Sequence, residues 1–279
     1  MKIANFSVLI SIYSKANSDH FKLALDSLFL QTLMPSDFVI VCDGPITPEL
    51  EQQISDFKLK YAVNDKINVE IVRLSKNMGL GHALNIGLEY CRHNIVARFD
   101  SDDICFVNRF EKQYLYFIKN EVDVLGTFME EFNIEPKDKC QYHIQPINHS
   151  DILKKSKYLN PICHPTVMFN KMKVIKYGSY KDMPLFEDFF LWIRLLKNGL
   201  IFQNLNEPLV YFRVGDNMIS RRSGLKYFIH EFNFYRASFT IGHINIFQFI
   251  IILFGKFLIR ILPSRMLAVI YKIISRRSK

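Results

Sequence analysis

The chain opens on a compact apolar run, FSVLISIY (6–13), whose length and β-branched content predict a buried strand. Polar residues follow, and then SDHFKLALDSLFLQT puts Phe21, Ala24, Leu25, Leu28 and Phe29 on one helical face with Ser18 placed as its cap. PSDFVIVCDG predicts a second strand ending at Asp43-Gly44, PELEQQISDFKLKY a second helix, and INVEIVRL a third strand. GLGHALNIGLEYC gives a third helix and NIVARF a fourth strand, which runs straight into Asp100, Asp102 and Asp103. This alternation up to about Asn120 implies a three-layer α/β sheet of mostly parallel strands. Ligands of such sheets bind outside the carboxyl ends of the strands, so Asp43 and Asp100 can face one pocket.

Beyond Asn120 the alternation stops. VDVLGTFMEEFN predicts a strand entering a hairpin around Glu135-Pro136-Lys137-Asp138, and HPTVMFN a short strand. PLFEDFFLWIRLLKNG reads as an amphipathic helix closed by Gly199, and LIFQNLNEPLVYFRV as a final pair of strands. The pattern thus divides into residues 1–215, with a first half to 120 and a second from 121, and a tail from 216 to 279.

The tail from Asn245 is very apolar, yet Lys256, Arg260 and Arg265 interrupt it. Its longest unbroken apolar stretch, Phe249 to Phe254, falls far short of the roughly 20 residues that span a bilayer. Gln248, Lys256 and Arg260 recur in multiples of four, and Lys272 and Arg276 repeat that spacing after Pro263. Two helices broken at Pro263 are predicted, each with a narrow basic stripe and a broad apolar face. Residues 244–279 would then lie in the interface of an anionic membrane. The plainer alternative is a pair of core helices packed on the preceding domain with their basic residues exposed.

Charge sharpens this division. The net charge of +9 is concentrated from Arg221 to Lys279, where eleven Lys or Arg stand against one acid, Glu231. The first 220 residues are near neutral. Because the basic residues lie in an Ile/Phe/Leu-rich tail instead of on an aromatic-studded polar face, a nucleic-acid partner is disfavoured. Hydrophobic content of 49% excludes general disorder. The five cysteines form no CxxC pair and no zinc pattern, which fits a reducing cytoplasm. No secretory h-region is visible at the N-terminus, and a location on the inner face of the cell membrane is expected.

The three aspartates of FDSDD admit two readings. Asp and Ser are common in turns and caps. Three carboxylates this close also repel unless a cation sits among them, and Mg²⁺ or Mn²⁺ with substrate phosphates would supply one. NMGLGHALNIG (77–87) permits close backbone approach at a helix start, but it fits neither a dinucleotide GxGxxG nor a Walker GxxxxGK[ST]. Glu187 and Asp188 open an apolar helix, where acids complement the macrodipole whether or not they act as a base. His164 before Pro165 is either structural or a contact for an acceptor or metal. Arg213, Arg221 and Arg222 form either a solvated basic loop or a phosphate clamp.

Taken in order, the strand ending near Tyr13, Asp43, NMGLGHALNIG, ARFDSDD and FEDFFLWIRLLKNG resemble glycosyltransferase family 2, over about residues 6 to 213. The likeness is greatest to bacterial enzymes that build O-antigen or capsule repeat units. It implies a GT-A fold, a Rossmann-like α/β/α arrangement binding a nucleotide sugar, with residues 1–120 as the nucleotide half and 121–215 as the acceptor half. It also implies roles. Asp43 would bond uracil, Asp100 the ribose or metal shell, and Asp102 the Mn²⁺ or Mg²⁺ bridging the UDP diphosphate. Asp103 would support the site or meet the sugar. Asn77, Asn85 and Arg98 would shape the nucleotide pocket. Asp188 would be the general base and Glu187 would orient the acceptor. A hexose, glucose or galactose, would pass with inversion from a UDP-sugar to a lipid-diphosphate-linked GlcNAc or GalNAc. Processive relatives carry QxxRW; the single tryptophan, Trp192, lacks that setting, so transfer of one sugar is implied. A nucleotidyltransferase would also use aspartates and a metal. The first loop, SIYSKANSDH, has no glycine to cradle its phosphates.

Overall fold

The computed structural model describes residues 2–62, 65–215, 224–261 and 277–278 of the 279-residue chain. Four parallel strands form its first half: β1 (Lys2–Ile12), β2 (Leu33–Cys42), β3 (Asn68–Arg73) and β4 (Ile95–Asp100). They are connected by α1 (Ser18–Phe29), α2 (Pro48–Ala62) and α3 (Leu80–Tyr90) and lie in the order β3-β2-β1-β4. The chain therefore builds outward from β1 twice and then crosses to its other side. The order reverses between β1 and β4, where an open α/β sheet leaves a crevice at its carboxyl edge.

Alternate residues of β1 enter different layers, as the pleat requires. Val8 and Ile10 pack with Phe21, Leu28, Phe38, Phe57 and Phe110 on one face; Leu9 packs with Val41, Leu84, Leu191 and Trp192 on the other. Burial on both faces explains why the inner stretches of β1 and β2, VLI and FVIV, are continuously apolar. At Gly87 of α3 a Cβ would lie 2.4 Å from Leu9 Cδ1 and 2.7 Å from Val41 Cγ2, so glycine lets this helix sit close against the sheet.

The second half extends the same sheet. After β5 (Ile104–Cys105) and α4 (Arg109–Lys119), β6 (Val124–Phe132) turns through residues 133–140 into β7 (Gln141–His143), the hairpin expected there. Asp138 closes the turn, its carboxylate accepting from the N–H groups of Asn133, Ile134 and Glu135. α5 (His149–Lys155) precedes a 3₁₀ turn (His164–Thr166), which leads to β8 (Met168–Asn170) and α6 (Lys171–Lys176). β8 runs antiparallel between β4 and β6. α7 (Glu187–Lys197) and β9 (Phe202–Arg213) follow, and β9 lies parallel to β6 and antiparallel to β5. The sheet order is β10-β7-β6-β8-β4-β1-β2-β3, where β10 is Arg277–Ser278 paired with β7.

Several expectations need correction. Asn17, not Ser18, caps α1, its Oδ1 accepting from His20 N at 2.9 Å. Phe29 is 42% exposed and Ser27 is buried in its stead. His164–Thr166 is a turn, so the strand begins only at Met168. LIFQNLNEPLVYFRV is one strand, not two. Leu205 pairs with Thr127 and Pro208 with Phe128, so Asn206 and Glu207 bulge out and the strand continues. α7 is buried over Phe189–Leu196 without interruption, because the sheet covers one side and the tail covers the other.

The tail begins as two helices, α8 (Gly224–Thr240) and α9 (Ile246–Ile261). α9 matches the first expected tail helix, but Lys256 and Arg260 face inward against Glu231 instead of outward. Any helix between Pro263 and Arg276 lies outside the described residues. Among the described residues no helix is long and apolar enough to cross a membrane.

Candidate active site

The carboxyl edge is assembled from the strand ends. Ser11 of β1 is in register with Asp100 of β4, and Ile12 with Cys42 of β2, directly before Asp43. Asp43 N donates to Ile12 O at 2.7 Å, and Gly44 then turns the chain at φ +85°. A Cβ at Gly44 would lie 2.6 Å from Asn77 N, so glycine is required by both conformation and space. The Asp43 carboxylate accepts from Met78 N at 2.6 Å and Gly79 N at 3.0 Å; exposed Asn77 donates to Asp43 O at 3.3 Å. Asp43 thus holds the glycine loop at the start of α3, with both its oxygens engaged.

The three aspartates converge. One carboxylate oxygen from each of Asp100, Asp102 and Asp103 lies within 4.8 Å of the others, the one such group among the described residues. Arg98 and Asp100 alternate on β4 and so share a side. The 2% exposed Arg98 guanidinium donates through Nη1 and Nη2 to both Asp100 oxygens. Asp103 is 1% exposed; Oδ1 accepts from Arg213 N at 2.9 Å and Oδ2 has no partner. Asp102 is exposed at the rim of the cluster; desolvation by the surrounding protein and then the Asp100 charge push it up to about 6. Burial, with Asp100 and Asp102 beside it, holds Asp103 well above the usual carboxylate range. A buried carboxylate oxygen with no donor, in a cluster whose charges oppose one another, suits a hard divalent cation. The residues present fit that group.

The acidic helix meets this edge from the other half. Gly81, in the first turn of α3, is so close to the loop before α7 that a Cβ there would lie 3.3 Å from Tyr180 Cβ and 3.4 Å from Glu187 Cγ. Asn85 completes the link: Nδ2 donates to Tyr180 O at 2.8 Å, and Oδ1 accepts from Tyr180 N at 2.9 Å. Leu185 adopts φ +71° just before Glu187. A leucine there costs about 1–2 kcal/mol, a strain characteristic of functional segments. Asp188 accepts from Asn160 Nδ2 at 2.7 Å. Burial raises the pKa of Asp188 and of Glu187. The Arg98 charge lowers the pKa of Asp102, Asp103, His164, Tyr180 and Asp188 alike.

Other candidates fare differently. His164 Nε2 meets Tyr180 Oη at 2.8 Å, and its ring packs edge-on to Trp192. Burial and Arg98 hold it neutral, well below its usual range, and it is not part of the aspartate cluster. Its ring nitrogen is thus engaged with Tyr180, outside the aspartate cluster. Arg213 is no open fork: Nε donates to Asp102 O and Nη1 to Asn133 O, both at 3.0 Å, and its guanidinium stacks 4.3 Å over Phe132. It clasps the aspartate loop, and its Nη2 amino group has no hydrogen-bond partner. Arg221 and Arg222 lie outside the described residues. Asn160 and Tyr180 were not anticipated; single polar residues in irregular loops carry no periodic signature.

The family model for "Glycosyl transferase family 2" matches residues 7–178, across β1–β4 and the aspartate cluster. The chain belongs to glycosyl transferase family 2. It is a glycosyltransferase with a GT-A fold. Curated relatives of this family 2 enzyme match it end to end. It is 38% identical over 277 residues to the Escherichia coli UDP-Gal:alpha-D-GlcNAc-diphosphoundecaprenol beta-1,3-galactosyltransferase, covering 98% of this chain and 97% of that one. It is 35% identical over 268 residues to the amylovoran biosynthesis glycosyltransferase AmsE of Erwinia amylovora, covering 96% and 98%. Among solved structures, S. aureus TarS 1-349 in complex with UDP-GlcNAc aligns at TM-score 0.63 and 20% identity, covering 83% of this chain and 66% of that one. The mannosyltransferase PcManGT of Pyrobaculum calidifontis with GDP-Man and Mn²⁺ aligns at TM-score 0.63 and 14% identity, covering 90% and 68%.

Proposed function

We propose that this family 2 enzyme transfers one hexose, galactose before glucose, from a UDP-sugar to a polyprenyl-diphosphate-linked GlcNAc or GalNAc, with inversion to a β-linkage. The product would be a surface-polysaccharide repeat unit made at the cytoplasmic face of the membrane. The observation that carries this is the three-aspartate cluster at the carboxyl edge of the sheet, together with the start of the Glu187-Asp188 helix packed on the first turn of α3 at that edge. The galactosyltransferase that matches almost the whole chain supplies the choice of donor and acceptor.

In this reading uracil lies against Asp43 and the loop it holds, with Asn77 at the rim. Asp102 would hold Mn²⁺ or Mg²⁺, with Asp100 and Asp103 completing the set. The cation would neutralise charge on the departing UDP diphosphate. Arg98 fixes Asp100, and Arg213 fixes the loop carrying Asp102. Asp188 takes the proton from the acceptor hydroxyl while Glu187 orients that acceptor. Asn85 and Tyr180 keep the acid helix against the donor loop. Attack from the face opposite UDP turns an α-linked donor into a β-linked product. The test is a panel of UDP-hexoses with the lipid-diphosphate acceptor. UDP-galactose turnover with β-linked product supports the reading, and turnover restricted to a nucleotide other than a UDP-sugar overturns it.

A further inference from the structure

The polarity of α9 is inside out. Arg260 Nε and Nη2 donate to Glu231 Oε2 and Oε1 of α8 at 2.7 and 2.8 Å, and Lys256 Nζ stands 3.1 Å from Oε1. Glu231 is 1% and Arg260 5% exposed, and the Arg260 guanidinium packs 4.5 Å over the Tyr227 ring. The helix has therefore turned its charges toward the protein. Phe247, Ile250, Ile251, Phe254 and Leu258 repeat at helical spacing on the other side and are 49–74% exposed. The outer surface of α8 joins them: Phe232 and Phe239 contact Phe249, and Phe228 contacts Phe257. The inner side is anchored by Ile252, which packs with Phe234 and Tyr235 of α8 and Phe189, Phe190 and Ile193 of α7. A water-facing amphipathic helix has the opposite arrangement. Contiguous apolar surface of this kind marks an interaction site.

We propose that the outward face of the α8–α9 hairpin is the surface by which the enzyme lies on an anionic lipid bilayer. Charge selects this occupant. Residues 262–279, which continue directly from α9, contain five Lys or Arg and no acid. A second copy carries the same excess of positive charge, whereas anionic headgroups complement that charge and acyl chains cover the apolar stripe. The inward Glu231 pair is what makes the stripe clean: it removes two cations from the face that meets the acyl region. Because the hairpin is seated on α7, it fixes the orientation of the helix that begins with Glu187 and Asp188. In purpose the proposal rests on the lipid-linked acceptor proposed above, while its test does not depend on any sugar.

The full-length enzyme is floated with vesicles of phosphatidylglycerol and phosphatidylcholine, and with phosphatidylcholine alone. The parent should partition to the anionic vesicles. The triple variant Phe247→Ser/Ile251→Ser/Phe254→Ser should partition roughly a hundredfold more weakly, since three large side chains no longer leave water. Its turnover with a short-chain, water-soluble acceptor should be unchanged, so a failed sugar reading and a failed membrane reading give different results. Equal partition of parent and variant overturns the proposal. So does a parent that is dimeric in vesicle-free buffer and becomes monomeric in the variant, since the face would then cover itself. Should the triple variant not fold, Ile251→Cys carrying a polarity-sensitive dye, in a Cys140→Ser background, gives a second readout; Cys140 is the exposed native cysteine. A blue shift with anionic vesicles supports the proposal, and an unshifted spectrum overturns it.

Discussion

Replacing Asn160 with alanine should move the acid limb of the pH–rate profile upward. The general base acts only when ionised, and burial already raises the pKa of Asp188. The Asn160 amide, 2.7 Å from Asp188 Oδ2, is the foremost influence pulling it back down. A hydrogen bond to a charged group contributes about 1.5–3 kcal/mol. Since a tenfold change in an ionisation equilibrium corresponds to about 1.4 kcal/mol, its loss moves the acid limb upward by roughly one to two pH units. Backbone N–H groups at the helix start still stabilise the carboxylate, so the lower figure is expected. In kcat/KM measured across pH with a UDP-hexose and a lipid-diphosphate acceptor, Asn160→Ala should match the parent on the alkaline side. It should be about tenfold slower on the acid limb, where a base weakened to that extent keeps about a tenth of its ionised population. Asp188→Asn should lose about 10²- to 10⁴-fold on the alkaline side of the acid limb, and the limb itself should disappear. An Asn160→Ala profile with an unmoved acid limb and a uniform loss would remove Asp188 from the role of base.

Two further predictions concern the scaffold. Glu231→Leu strands Arg260 in a buried position and should cost about 3–5 kcal/mol by urea unfolding, whereas Glu231→Leu/Arg260→Leu should recover most of it. Additive losses in that cycle would contradict the inward pairing of α9. His243, whose Nε2 meets Ser156 Oγ at 2.9 Å, is held by burial down to about 4. The unfolded chain protonates first, near 6.5, so stability falls as pH drops from about 6.5 to about 4, by up to about 1.4 kcal/mol per pH unit. Stability curves for His243→Gln should be flatter in that window, and an unchanged slope would clear His243 of the effect.

The parallel half of the fold was legible because short apolar, β-branched runs alternate with helical periodicity, and two of them lead into Asp43 and Asp100 at the carboxyl edge. Strand order could not be read, yet the switch between β1 and β4 needs only that Asp43 and Asp100 both follow strands. Arg98 beside Asp100 follows from the two-residue period. What stayed hidden depends on pairings without local rhythm. Asn85 and Tyr180 are 95 positions apart, and Asn160 lies 28 positions before Asp188. The NEP of β9 reads as a turn because nothing local distinguishes a two-residue bulge from the end of a strand. For α9 the periodicity identified which residues share a face, but a helical wheel does not say which face points inward. Glu231, the one acid between Arg221 and Lys279, was the available signal.

The most direct test of the account is UDP release by the purified enzyme, with UDP-galactose and a diphosphate-lipid-linked GlcNAc, in Mn²⁺ or in EDTA, beside Asp102→Ala. Release that requires the metal and the acceptor, and that falls at least about a hundredfold in Asp102→Ala, is the predicted result. Release unaffected by EDTA and by Asp102→Ala would contradict it and return the three aspartates to a polar turn.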